Sequence, residues 1–203
     1  MSFLFFKNNN DKYPSLARAL PMNEQVIIKT LLLVFSGILI LWMTAQIRIS
    51  LFFTPVPITG QTFGVLILAA AYGSRLGITT MLAYLFVGIA GLPVFAGSSS
   101  GWAYFSGATA GYLVGFAAAA YVVGYLSEMG WDRKPVSVIA SMLIGNAIIY
   151  IFGVIWLAYS LNVGYGKAIS LGLEPFLLGD TIKIILAAGF LPGMWSLKSY
   201  FEN

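Results

Sequence analysis

The chain has no cysteine and no histidine among its 203 residues. This excludes disulfides, thiol nucleophiles, imidazole general bases and the usual zinc and transition-metal ligand sets, so no metal or cofactor is expected. Charge is scarce as well, at 9% of residues against roughly 25% in soluble domains. The net charge is +4, but the basic residues stand singly between apolar runs and form no patch that would hold nucleic acid. There is no Gly-x-x-x-x-Gly-Lys-Ser/Thr phosphate loop, so any ATP-driven step must come from other chains and the protein is expected to have no ATPase of its own. What is abundant is apolar surface: 59% of residues are hydrophobic. Several stretches approach or exceed the ~18 to 20 residues that cross a bilayer as a helix, so the expected class is all-α and polytopic rather than a barrel.

Six spans are expected. Residues 1–24 read as an uncleaved cytoplasmic tail, because Phe3 to Phe6 is too short for a signal-peptide core; a surface helix around Tyr13 to Leu20 fits there. A membrane domain covers residues 25–198, and residues 199–203 form a C-terminal tail. The first span runs from Gln25 to Ile47. In Thr54-Pro55-Val56-Pro57-Ile58-Thr59-Gly60-Gln61-Thr62 two prolines and a glycine forbid a regular helix. Phe63 to Tyr72 is too short to span alone, so the second helix borrows from this segment or begins with it folded into the membrane as a cavity wall. Gly73-Ser74-Arg75 reads as a tight turn before a third span, Leu76 to Phe95. The loop from Gly97 to Gly107 combines serines with Trp102, Tyr104 and Phe105, either an interfacial aromatic belt or a ligand-contacting loop. In the fourth span, Ala108 to Leu126, Gly107, Gly111, Gly115 and Ala119 recur at spacing four, a stripe that lets helix backbones approach. The fifth, Val136 to Tyr159, holds Asn146, either interhelical glue or a ligand contact. Ser160 to Glu174 reads as a loop, and Pro175 to Leu197 as the sixth span.

With the N-terminus inside, Lys7, Lys12, Arg18, Lys29, Arg75, Arg133, Lys134 and Lys198 face the cytoplasm, against Arg48 and Lys167 outside. That positive-inside bias puts both termini in the cytoplasm. The Pro-rich segment, the Gly97 to Gly107 loop and the start of the sixth helix then meet at the outer face.

Asp180 and Lys183 lie together inside the sixth apolar stretch, and residues three apart share a helix face. Each intramembrane charge costs roughly 2.5 to 3.5 kcal/mol on the insertion scale, which makes the pair a functional-site candidate. The plain alternative is an ion pair worth ~0.2 to 0.5 kcal/mol if exposed. A carboxylate accepts N–H donors and an ammonium suits a carboxylate, so a small solute with an amide-like head and an acid tail fits. The candidate substrate-binding residues are Asp180, Lys183, Thr59, Gln61, Ser99, Trp102, Tyr104, Tyr112 and Asn146.

The 54–62 motif, Gly91-Leu92-Pro93-Val94-Phe95-Ala96-Gly97, Gly111-Tyr112-Leu113 with Gly115-Phe116, and Gly179-Asp180-Thr181-Ile182-Lys183 resemble the BioY family from about Val26 to Lys198. That family comprises biotin-binding S-components of energy-coupling-factor (ECF) vitamin transporters. The resemblance implies a six-helix S-component fold in the cytoplasmic membrane, high-affinity biotin binding and uptake, and partnership with a T-component and a pair of ABC-type ATPases. It further implies that Asp180 takes the ureido N–H groups of biotin and Lys183 its valerate carboxylate. From the residues alone two other classes remain. One is a secondary carrier for another small carboxylate-bearing solute, which needs a coupling-ion site or an inverted repeat. The other is a lipid-directed enzyme, which needs a Ser-Lys dyad between Lys183 and Ser98, Ser99, Ser100 or Ser106.

Overall fold

The computed structural model describes residues 26–202; the expected tail of residues 1–24, with its surface helix around Tyr13 to Leu20, lies outside them. The unbroken apolar run at the start becomes α1, Val26–Gln46. Two short strands follow, β1 (Arg48–Ile49) and β2 (Ile58–Thr59), paired antiparallel with Arg48 opposite Thr59. The Pro-rich segment is therefore the far end of a hairpin, a feature the sequence reading did not anticipate. Neither proline has an N–H to lend to a ladder, which confines the pairing to two residues on each side.

Next comes α2, Gln61–Ile89, interrupted at Gly73, where φ is 79° and ψ is 177°. Only glycine takes that backbone geometry without strain. A Cβ placed on Gly77 would stand 3.3 Å from the Cα of Ala69, whereas eight residues along a straight helix are about 12 Å apart. The chain thus reverses at Gly73, as the Gly-Ser-Arg motif predicts, and α2 is two spans. Its first arm, Gln61 to Tyr72, is only about 18 Å long at 1.5 Å per residue. It begins at Gln61 and leaves 54–60 outside the helix.

The third span stops at Ile89 rather than Phe95, because Gly91 has a φ of 109° and Pro93 follows. A five-residue helix, α3 (Gly101–Phe105), sits inside the aromatic loop. The remaining elements are α4 (Ala110–Glu128), α5 (Pro135–Leu161), α6 (Tyr165–Gly172), a 3-10 turn (Glu174–Phe176) and α7 (Leu177–Glu202). The segment read as a plain loop from Ser160 to Glu174 therefore carries a helix of its own, and α7 continues to Glu202, into the expected C-terminal tail. Among the described residues five helices are long and apolar enough to cross a membrane, and counting the two arms of α2 separately gives six membrane helices: α1, two in α2, α4, α5 and α7. The protein is a multi-pass membrane bundle, helical apart from the two short strands.

Packing follows the small residues. α2 meets α4 most extensively, and α4 meets α5. The glycine stripe of α4 is what permits the second contact: a Cβ on Gly111 would stand 2.3 Å from the Phe152 carbonyl oxygen, and one on Gly115 3.0 Å from the Ile149 Cα. At the end away from the irregular loops, Glu128 accepts hydrogen bonds from the Ser74 N–H at 3.0 Å and from its hydroxyl at 2.9 Å. Beside it the Ser127 hydroxyl donates to the Ala70 carbonyl at 2.5 Å. Asp132, also buried, accepts from the Trp195 indole at 2.6 Å, and the Arg133 guanidinium lies 4.1 Å above the Trp195 ring centroid. These contacts join the hairpin turn to α4, and α7 to the α4–α5 connection. They leave the opposite end of the bundle to be closed by loops.

Candidate functional site

Asp180 lies in the first turn of α7, where the partial positive charge of the helix N-terminus favours a carboxylate. It is only 4% exposed. Its Oδ1 accepts from Lys183 Nζ at 3.0 Å and from the Thr62 hydroxyl at 3.4 Å, and Oδ2 accepts from the Tyr150 hydroxyl. Lys183 Nζ also donates to Thr62 Oγ1 at 2.7 Å. The expensive pair is thus real and does neutralise itself, but a simple ion pair would not recruit a phenol from α5 and a hydroxyl from α2. A carboxylate offers about four acceptor positions, of which three are taken.

Above this floor lies a cavity between the Pro-rich loop and the helices. Val56, Pro57, Thr59 and Gln61 roof it, Tyr104, Tyr112 and Phe176 form its sides, and Lys183 and Tyr150 close its base. Its free volume is about 40 Å³, room for a few waters. It adjoins a wider outer basin of about 310 Å³ lined by Arg48, Ser50 and Thr54, with Pro57, Tyr104 and Thr109 common to both. Burial raises the Tyr104 phenol above its ordinary value, while Thr109 and Arg48 pull it back. It stands between the two chambers as a neutral ring.

Each roof element is tied locally. Thr54 donates to the Leu171 carbonyl of α6 at 2.7 Å and accepts from the Val56 N–H at 3.2 Å, so the proline turn is anchored to the distant α6. Thr59 accepts from the Gln61 N–H at 3.2 Å. Gln61 donates to Tyr84 at 2.9 Å, and Tyr84 donates to the Val94 carbonyl at 2.7 Å, which fixes the start of the second loop. There Phe95 is fully buried and stacks on Tyr104, with ring centroids 5.2 Å apart and planes 16° apart. The other side of that loop is held by Gln46, which donates to the Phe95 carbonyl at 3.2 Å and accepts from the Ser98 N–H at 3.0 Å.

Of the nine residues expected from sequence, Asp180, Lys183, Thr59, Gln61, Tyr104 and Tyr112 come together at or directly beneath this cavity. Tyr112 reaches across to donate to the Gly172 carbonyl at 2.8 Å. The other three lie elsewhere. Ser99 serves the loop through its carbonyl, which accepts from the Phe95 N–H at 3.0 Å. Trp102 is 65% exposed and lines an apolar groove with Phe152 and Tyr159 on the outside of the bundle. Asn146 is buried behind Lys183, in a separate small cavity. None of Ser98, Ser99, Ser100 and Ser106 lines the cavity with Lys183, so the geometry gives the Ser-Lys dyad no support.

Sequence reasoning missed Tyr150 and Thr62. Thr62 was in plain view as the last residue of the Pro-rich motif. For Tyr150 the available signal was a phenol within an apolar span, one helical turn from Asn146.

Known proteins resemble this chain in sequence and in fold. The pattern of the BioY family matches residues 17–200. The curated "Biotin transporter BioY" of Rhizobium etli is 40% identical over 147 residues, covering 69% of this chain and 78% of that one. Its namesake from Thermotoga maritima is 36% identical over 156 residues, covering 77% and 90%. A 2.1 Å crystal structure of the S-component for biotin from an ECF-type ABC transporter superposes with a TM-score of 0.77 at 25% identity, covering 87% of this chain and 95% of that one. The match extends over the Pro-rich roof and the acid-base floor alike, and this chain belongs to the BioY family.

Proposed function

We propose that this chain is the substrate-capturing subunit of a biotin transporter of the cytoplasmic membrane. In this reading Asp180 receives the ureido N–H groups of biotin and Lys183 its valerate carboxylate. The observation that carries it is the Asp180–Lys183 pair at the base of a loop-roofed cavity, in a chain whose relatives are named biotin transporters. The charge bias of the sequence places the cavity at the outer face and both termini in the cytoplasm. Uptake is powered by partners, a T-component and a pair of ABC-type ATPases, since the chain has no phosphate loop.

The mechanism follows from how the pair is engaged before ligand arrives. Its free volume of about 40 Å³ is too small for a bicyclic ring system, so the roof must lift and Lys183 must move. Helical side chains lean toward the N-terminus of their helix, here toward the Pro-rich loop. Lys183 can therefore release Asp180 Oδ1 by a small turn of its ammonium, without leaving the base of the cavity, and meet a carboxylate there. The ureido N–H groups take the place it leaves on Asp180 and the acceptor position still open there. An elongated ligand is in this way held at both ends by residues one helical turn apart. Arg48, on the rim of the outer chamber, attracts the anionic tail during entry.

Equilibrium binding to the purified protein tests the proposal. Asp180→Asn should weaken binding of biotin and of its carboxyl-amide analogue alike, and Lys183→Met should weaken biotin much more than the amide. No binding of biotin at micromolar concentration refutes the function. Identical ligand profiles in the two variants refute the division of roles.

A further inference from the structure

We infer that Asn146 is the positioning residue for Lys183, holding the third hydrogen of its ammonium through one water lodged between them. This rests on Lys183 being the partner of the ligand's carboxylate. A lysine ammonium has three N–H donors, and two are spent, on Asp180 Oδ1 and on Thr62 Oγ1. The same side chain borders a second cavity, behind the ligand cavity, of about 10 Å³. Its walls are apolar, from Phe63, Leu66, Met142 and Ile184, and its polar members are Lys183, Thr62 and Asn146.

Asn146 is 93% buried, being 7% exposed, and its Oδ1 meets no donor. A buried acceptor in an apolar bundle is costly to leave unmatched. Oδ1, the end of the amide that meets no donor, is in this arrangement the end turned to the water. A volume of about 10 to 15 Å³ is that of one water, which needs two to four polar partners. Here the count closes: the water accepts from Lys183 Nζ, donates to Asn146 Oδ1, and donates to the remaining lone pair of Thr62 Oγ1. Asn146 and Tyr150 stand four apart on one face of α5. That face thus supplies a donor to the carboxylate and an acceptor to the ammonium. When the ligand takes Asp180, the contact to Asn146 stays with Lys183 and aims it at the tail.

The test is the ratio of biotin to biotin-amide affinity in the full chain. Asn146→Leu should weaken biotin about tenfold, the value of a lost hydrogen bond to a charged group, while the amide changes less than about twofold. Interhelical glue alone would lower both ligands equally, and that result overturns the inference. Met142→Leu, on the same cavity wall without a polar atom, should leave the ratio at its parent value; a shift there attributes the effect to packing and also overturns it. If the leucine variant does not fold, Asn146→Ala is read by the same ratio. Lys183→Met separates the two levels. If it leaves the ratio unchanged, the carboxylate role itself fails. If it collapses the ratio and Asn146→Leu does not, only the role of Asn146 fails.

Discussion

Replacing Tyr150 by Phe removes a single oxygen from the bundle and isolates what holds Asp180 before a ligand arrives. The phenol is the donor to Oδ2, while Thr62 and Lys183 both serve Oδ1. The carboxylate is 4% exposed, so water does not replace the lost donor. A hydrogen bond to a charged group contributes about 1.5 to 3 kcal/mol. For a chain of this size each kcal/mol shifts the midpoint by about 2 to 4 °C, so the ligand-free variant should melt about 3 to 12 °C below its parent. Tryptophan fluorescence of the detergent-solubilised protein follows the transition, since the chain has five tryptophans. The ureido N–H groups of biotin can occupy the vacated lone pairs, so the rise in midpoint on adding biotin should be larger in the variant. A ligand-free midpoint within 1 °C of the parent would refute the role of Tyr150. A ligand-induced rise no larger than the parent's would show that Asp180 does not receive the ligand's donors.

Three further outcomes are expected. Thr54→Val removes the tether from the Pro-rich roof to Leu171, worth about 1 kcal/mol, and should speed biotin dissociation about fivefold in a chase experiment; an unchanged off-rate would mean the roof is not what retains the ligand. Gly111→Ala drives a methyl into the Phe152 carbonyl and should cost about 1 to 3 kcal/mol, whereas Gly189→Ala, with no atom within 4 Å, should be neutral or stabilising; equal effects in thermal melts would contradict the α4–α5 packing. Burial raises the Asp132 carboxyl above its ordinary 3.8, although Trp195 and Arg133 pull it down. The folded state therefore binds the proton more tightly than the unfolded chain, and stability falls as pH rises from the unfolded value through the raised one. Asp132→Asn should accordingly melt higher than the parent at pH 7, with the gain vanishing below about pH 3.8; a gain independent of pH would contradict it.

Much of the fold is legible because the bilayer leaves few options: an apolar run must close its own hydrogen bonds, so spans follow from length and hydropathy. The reversal at Gly73 is readable too, since Gly-Ser-Arg interrupts a run otherwise long enough to continue. Hydropathy alone failed at the third span, where Val94 and Phe95 are apolar but lie beyond Gly91 and Pro93 and turn inward as a loop. It also hid α6, whose eight residues include a glycine near each end. Within the site, Asp180 and Lys183 were visible because charge is conspicuous in an apolar run. Tyr150 was not, because a tyrosine counts as one more hydrophobic residue until its hydroxyl is placed. The aromatic loop was read as a unit, yet Trp102 and Tyr104 are two apart on a short helix and point about 200° from each other at 100° per residue. One faces outward and the other the cavity, a division set by α3, which is too short for sequence periodicity to reveal.

The clasps around Ser74 and Trp195 bear on how cargo leaves. Beneath the site the interior is plugged as well: a Cβ on Gly145 would stand 2.5 Å from a Leu66 methyl and 2.8 Å from one of Val123. A tunnel from Asp180 to the cytoplasm would have to part the Leu66, Val123 and Met142 side chains and then break the Glu128 and Asp132 fastenings as well. The roof is held mainly by Thr54 and the two short strands. The bundle is thus fastened across its floor by buried carboxylates and across its roof by one threonine tether and a two-residue ladder, so the roof is the end that opens at the smaller cost.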